Sequence, residues 1–182
     1  MDKFTLLKEK SLLLVIDIQE RLVPAMKYGE RVVDNTKVLI SAANELDMPI
    51  MVTEQYPKGL GQTVPKIAKG LKDFLKFEKI EFSACTDRVI DALKDTKRKK
   101  IIVVGMETHV CVFQTVRDLI DLGYDVFVVS DGVSSRTEEN HQNALDLMRD
   151  MGARIINTEM ALFDLLKKAG TPKFKSLSKL VK

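Results

Sequence analysis

Lys100-Ile101-Ile102-Val103-Val104-Gly105-Met106-Glu107-Thr108-His109-Val110-Cys111 carries a strand into a helix. The apolar run predicts a buried strand over 100–104, Gly105 interrupts it, and Val112, Val116, Leu119 and Ile120 then recur at helical spacing. Cys111 therefore falls in the first turn of a helix. There the dipole and the unpaired backbone N–H groups favour a thiolate, so this cysteine is expected to be reactive near neutral pH. Working outward, Asp17 closes the run Leu12-Leu13-Leu14-Val15-Ile16, and Lys79 follows Phe74-Leu75-Lys76-Phe77-Glu78. Each is expected just past a strand end, where the acid, the amine and the thiol can meet.

The rest of the chain alternates in the same way. Strands are predicted at 11–17, 49–53, 73–77, 100–104, 125–129 and 153–156. Between them lie helices with one apolar face, such as Val32, Val33, Thr36, Leu39, Ile40, Ala43 and Leu46, or Ala144, Leu145, Met148 and Met151. Strands apolar on both faces, each followed by a helix, require parallel pairing with right-handed crossovers. The predicted fold is α/β: a doubly wound, three-layer sandwich around a mainly parallel six-stranded sheet, with residues 1–182 as one domain. Pro49, Gly123 and Gly152 punctuate the element ends. The loop Thr53-Glu54-Gln55-Tyr56-Pro57-Lys58-Gly59-Leu60-Gly61-Gln62-Thr63 lies on the rim that lines the ligand crevice in open α/β sheets.

Composition narrows the function. The 29 basic and 26 acidic residues leave a net charge of +3, so no single-sign excess points to nucleic acid, and Lys97-Arg98-Lys99-Lys100 reads as a solvated turn before a strand. No apolar run reaches the roughly 18–20 residues of a membrane span. Two cysteines cannot form a disulfide framework, and the first residues lack a signal-peptide core, so a reducing, cytoplasmic setting is expected. Cys85 reads as structural. The residues after the first strand, Asp17-Ile18-Gln19-Glu20-Arg21, are not a glycine-rich phosphate loop, and no Walker-type lysine occurs. His109 and His141 stand outside any metal-binding spacing, so neither metal nor cofactor is expected. A pairing of Cys111 with His141 is the alternative to Asp17 as base.

Leu14-Val15-Ile16-Asp17-Ile18-Gln19, Lys79 and Val103-Val104-Gly105-Met106-Glu107-Thr108-His109-Val110-Cys111-Val112 together resemble the cysteine hydrolases of the isochorismatase-like superfamily. Thr115, Gly123 and Val128-Val129-Ser130-Asp131-Gly132 extend the resemblance over nearly the whole chain. It implies a catalytic triad of Asp17, Lys79 and Cys111. It also implies an oxyanion hole from the backbone N–H groups of Glu107 and Cys111, often with a cis peptide before the former. Gln19, Gln55, Tyr56, Phe82 and Thr108 are expected to line the substrate pocket.

Glu54-Gln55-Tyr56-Pro57 replaces the metal-binding Asp-x-His of the superfamily's nicotinamidases, and Cys111 departs from isochorismatases proper, which lack the nucleophilic thiol. The chain looks most like the isochorismatase domain-containing branch. The expectation is hydrolysis of a C–N bond in a small amide, ureido or carbamoyl compound through a thioester. Family members often assemble through helices on the sheet face, so a homo-oligomer is expected. From another class, a non-catalytic binding or scaffold protein with the same fold remains the alternative.

Overall fold

The computed structural model describes residues 2–181. Its elements are β1 (Ser11–Ile16), α1 (Gly29–Glu45), β2 (Ile50–Gln55), the single turns α2 (Pro57–Leu60) and α3 (Pro65–Ala68), β3 (Phe74–Lys79) and α4 (Asp87–Thr96). There follow β4 (Lys100–Met106), a π-helical turn (Thr108–Val112), α5 (Phe113–Asp121), β5 (Asp125–Ser134), α6 (Glu138–Asp150), β6 (Arg154–Ile156), α7 (Thr158–Leu166) and α8 (Pro172–Leu177). The six strands pair in the order β3-β2-β1-β4-β5-β6, all parallel. Chain direction across the sheet reverses between β1 and β4, and such a switch point opens a crevice at the carboxyl ends of the two strands.

Strand side chains alternate between two cores. Leu13, Val15, Val52, Ile102 and Val104 pack beneath α1 and α7, against Val32, Val33, Leu39, Ile40, Ala161 and Leu165. Leu12, Leu14, Ile16, Met51, Ile101 and Val103 face the other way, onto Val89 and Leu93 of α4, Val116 and Leu119 of α5, and Leu145 and Met148 of α6. Each such aliphatic side chain contributes roughly 1.5–3 kcal/mol by leaving water. With both faces covered, β1 and β4 are fixed in register, and so are the residues that leave their ends.

Four strands run further than the apolar pattern predicts, among them β4, which continues to Met106. β5 continues through Ser130-Asp131-Gly132 to Ser134, because its register against β4 shifts between Val103 and Gly105 and pairing resumes at Gly105–Val133. The carboxylate of Asp131 makes the polar stretch tolerable: it accepts from the backbone N–H and the hydroxyl of Thr158, both at 2.8 Å. β2 extends to Gln55. β3 extends to Lys79, so the lysine is the last residue of an edge strand rather than part of a loop beyond it.

Candidate active site

Asp17 follows the last paired residue of β1 and takes a left-handed conformation, φ 53°. Its N–H still donates to the Thr53 carbonyl at 3.1 Å, which anchors the turn to β2 and sends the carboxylate into the crevice. Thr53 Oγ1 donates to Oδ1 at 2.7 Å and Lys79 Nζ to Oδ2 at 2.7 Å. Both side chains of the ion pair are 0% exposed. β3 lies two strands from β1, and the lysine stem spans the gap by crossing the end of β2. The ammonium also donates to Gln55 Oε1 at 2.7 Å and reaches the carbonyls of Phe82 at 3.0 Å and Glu81 at 3.2 Å.

Cys111 arrives from β4. Gly105 has φ 135°, and a Cβ there would lie 2.0 Å from the Ile16 carbonyl oxygen, so only glycine lets β4 pass β1 this closely. The Met106–Glu107 peptide is cis. The next turn is π-helical, after which α5 runs on regularly. Thr108 Oγ1 pairs with His141 Nδ1 at 3.0 Å at the start of the turn, and Thr115 Oγ1 donates to the Cys111 carbonyl at 2.6 Å at its end. Arg136 Nε donates to Glu107 Oε2 at 2.9 Å. These contacts set Cys111 beside Asp17, close enough for the carboxylate charge to act on the thiol.

Electrostatics correct one expectation. Burial pushes the Cys111 thiol up to about 12, the neighbouring Asp17 charge adds to that, and Lys79 and the Glu107 N–H only partly oppose it. The resting residue is a thiol, not the thiolate that a helix start alone would favour, because burial, reinforced by the carboxylate beside it, outweighs the helix. Burial likewise raises the Asp17 carboxyl above its ordinary range, against Lys79, Thr53 and Cys111, and so makes it more basic. An acid with raised affinity for protons therefore lies beside the thiol. Burial raises Cys85 to about 12 as well, but its thiol faces the Thr115 carbonyl at 3.7 Å rather than a base.

The predicted pocket residues divide. Tyr56 and Phe82 are about half exposed at the rim, both at 53%. Gln19 and Thr108 are fully buried, and the polar atoms of Gln19, like those of the 8%-exposed Gln55, are bonded within the protein. For Gln19, Gln55 and Thr108 the expected substrate contact gives way to internal bracing. Sequence reading placed Thr53 and Glu54 on the rim loop and Thr115 in the family resemblance but gave none of them a role in the site. Glu54 Oε1 accepts from the N–H and hydroxyl of Thr63 at 2.8 and 2.7 Å and fixes the far end of the rim loop. Glu54 and Thr53 lie one and two residues before Gln55 and Thr115 lies four after Cys111, spacings that place them on the same strand end or turn. His141 is engaged with Thr108 and His109 with Ser135 Oγ at 2.9 Å, so both imidazoles are bonded elsewhere, and the carboxylate whose charge acts on the sulfur is that of Asp17. Among the described residues, no group of three or more His, Cys, Asp or Glu could hold a metal, and no helix is long and apolar enough to cross a membrane.

A six-stranded parallel sheet flanked by helices, with a buried Asp-Lys pair at its switch point, makes the chain a doubly wound α/β protein. A family model described as Isochorismatase domain matches residues 11–160. The secreted isochorismatase effector Isc1 of Phytophthora sojae (strain P6497) is 43% identical over 182 residues, which cover 97% of this chain and 87% of that protein. Isochorismatase domain-containing protein 2 of Xenopus laevis is 38% identical over 175 residues, 96% of this chain and 84% of that one. Among solved structures, that of MAR1 ribonuclease from Caenorhabditis elegans superposes with a TM-score of 0.93 at 40% identity, covering 97% of this chain and 92% of the other. The chain belongs to the isochorismatase family.

Proposed function

We propose that the chain is a cysteine-dependent hydrolase that cleaves the C–N bond of a small amide, ureido or carbamoyl compound. The observation that carries this reading is the buried carboxylate of Asp17, which bonds the Lys79 ammonium and lies beside the Cys111 thiol. Cys111 Sγ attacks the carbonyl carbon while its proton passes to Asp17. The carbonyl electrons move to oxygen, and the oxyanion accepts hydrogen bonds from the N–H groups of Glu107 and Cys111. Asp17 returns the proton to the nitrogen, the C–N bond breaks, and ammonia or an amine departs from a thioester. Water then attacks the thioester, giving one proton to Asp17; the C–S bond breaks, and Asp17 restores the thiol. Lys79 keeps Asp17 ionised between these transfers and offsets charge developing on sulfur.

Tyr56 and Phe82, half exposed beside this end of the sheet, are the side chains expected to touch a small substrate. The two free cysteines fit a reducing compartment such as the cytoplasm. The ribonuclease name belongs to the solved neighbour. A net charge of +3 and a base sealed beneath the surface favour amide over phosphodiester chemistry here.

The test is ammonia release from a panel of small amides and carbamoyl compounds, with an RNA substrate in parallel. Turnover by the wild type and its loss by at least about a thousandfold in Cys111→Ala and Asp17→Asn is the expected result. RNA cleavage without amide turnover, or full activity of Cys111→Ala, would overturn the reading.

A further inference from the structure

Beyond Asp17 the ladder between β1 and β2 is continued by a side chain. Gln19 Oε1 accepts from the Gln55 N–H at 2.7 Å, while its Nε2 donates to the carbonyls of Gln55 at 3.0 Å and Gly61 at 2.7 Å. Both backbone groups of Gln55 are thereby fixed. Its own amide is fixed at both ends too: Nε2 donates to the Ile80 carbonyl and Oε1 accepts from Lys79 Nζ, each at 2.7 Å.

A lysine ammonium has three protons to place. Asp17 Oδ2 takes one and Gln55 Oε1 another, and the third is shared between the carbonyls of Phe82 and Glu81. The rotation of the ammonium is thus fully determined, and Gln55 is the neutral side chain that determines it. An apolar replacement would leave a buried N–H without a partner. A carboxylate there would draw the cation away from Asp17.

We propose that Gln55 is a positioning residue, braced by Gln19, that holds the Lys79 ammonium on Asp17 so that the thiol proton can be taken; this rests on the hydrolase reading above. Gln55 does not touch the reacting atoms. It acts through Lys79, so its loss should alter how readily Cys111 ionises rather than how well the rim binds a substrate.

The experiment needs no substrate. Alkylation of Cys111 and Cys85 by iodoacetamide is followed by peptide mass spectrometry between pH about 6 and 10, with thermal unfolding recorded for each variant. In the wild type, Cys111 should react faster than Cys85. Gln55→Met should slow Cys111 by at least about tenfold at pH 8, and Gln55→Glu should move its profile upward by roughly one pH unit as a second carboxylate divides the cation. If Gln55→Met does not fold, the Gln55→Glu profile decides alone. Profiles for Gln55→Glu and Gln55→Met that superimpose on the wild type, while Lys79→Met shifts its own, would overturn the role of Gln55 and leave the hydrolase reading intact. A wild type in which both thiols react equally slowly would remove the activated thiol, and with it both proposals.

Discussion

Lys79 and Asp17 form a pair that neither can leave without exposing the other to a dry interior, since both side chains are wholly buried. Lys79→Met is expected to destabilise the protein by about 3–5 kcal/mol at neutral pH, because the carboxylate then stays buried without its cation. The sign of the pH dependence follows. Without the ammonium the folded-state carboxyl is raised further above its unfolded value, so the neutral form is the one the fold tolerates. The deficit should shrink as pH falls toward about 4 and grow as pH rises through the raised folded value. Urea unfolding of both proteins at acid and neutral pH measures it, and a deficit independent of pH would contradict the account. His141 behaves oppositely. Burial lowers its folded-state value, helped by the charge of Arg31 and opposed by Glu138, so its contribution is present above about 6.5 and is lost as pH falls below it. His141→Gln should remove that part of the acid sensitivity, which melts at a series of pH values would reveal. At this scale the meeting of Asp17 with Lys79 was legible from position and motif, whereas the protonation state of Cys111 was not. A helix start is visible in a sequence; a carboxylate arriving from 94 positions away to press on the sulfur is not.

Elements decide how these side chains converge. β4 approaches β1 so closely at Gly105 that a methyl group has no space, and the dihedral itself disfavours any other residue. Gly105→Ala is expected to cost roughly 1–3 kcal/mol from the backbone conformation alone, with the clash added. It should also displace the π-helical turn, so both the unfolding midpoint and the alkylation rate of Cys111 should fall; a variant with wild-type values in both would show that the passage is looser than the geometry states. The alternating apolar runs gave the strand order's raw material, and five of six strands were found within two residues of their predicted starts and ends. β5 was the exception, read as ending at Val129 but running to Ser134. Its continuation depends on a register shift and on Asp131 bonding to Thr158, neither of which is visible in local hydropathy. Gln19 and Gln55 were read as pocket residues for a related reason. A glutamine on a rim loop looks like a ligand contact until its partners across the chain are known.

For the whole molecule, the edge of the sheet is its open question of surface. β3 has only β2 as a neighbour; Phe74 and Leu75 leave 37% and 49% of their surface exposed at its start, and Ile80, Phe82 and Tyr56 leave 78%, 53% and 53% exposed at the end that carries Lys79. An apolar border of this kind favours association. Light scattering coupled to size exclusion is expected to give a multiple of the 20.6 kDa chain mass, and a value equal to the single chain would refute that. The rim loop bears on how the family's chemistry can be redirected. Between residues 54 and 64 it is stitched down at several points: Glu54 to Thr63, Gln19 to Gly61, Glu20 to the Gln62 N–H, and the Glu20 N–H to the Gln62 carbonyl. Lengthening it would unpick the same threads that hold the acid and the amine in place. Changes of diet, in evolution or in the laboratory, should therefore fall on the opposite bank, at Ile80 to Phe82, where side chains face outward and can be exchanged without loosening the machinery.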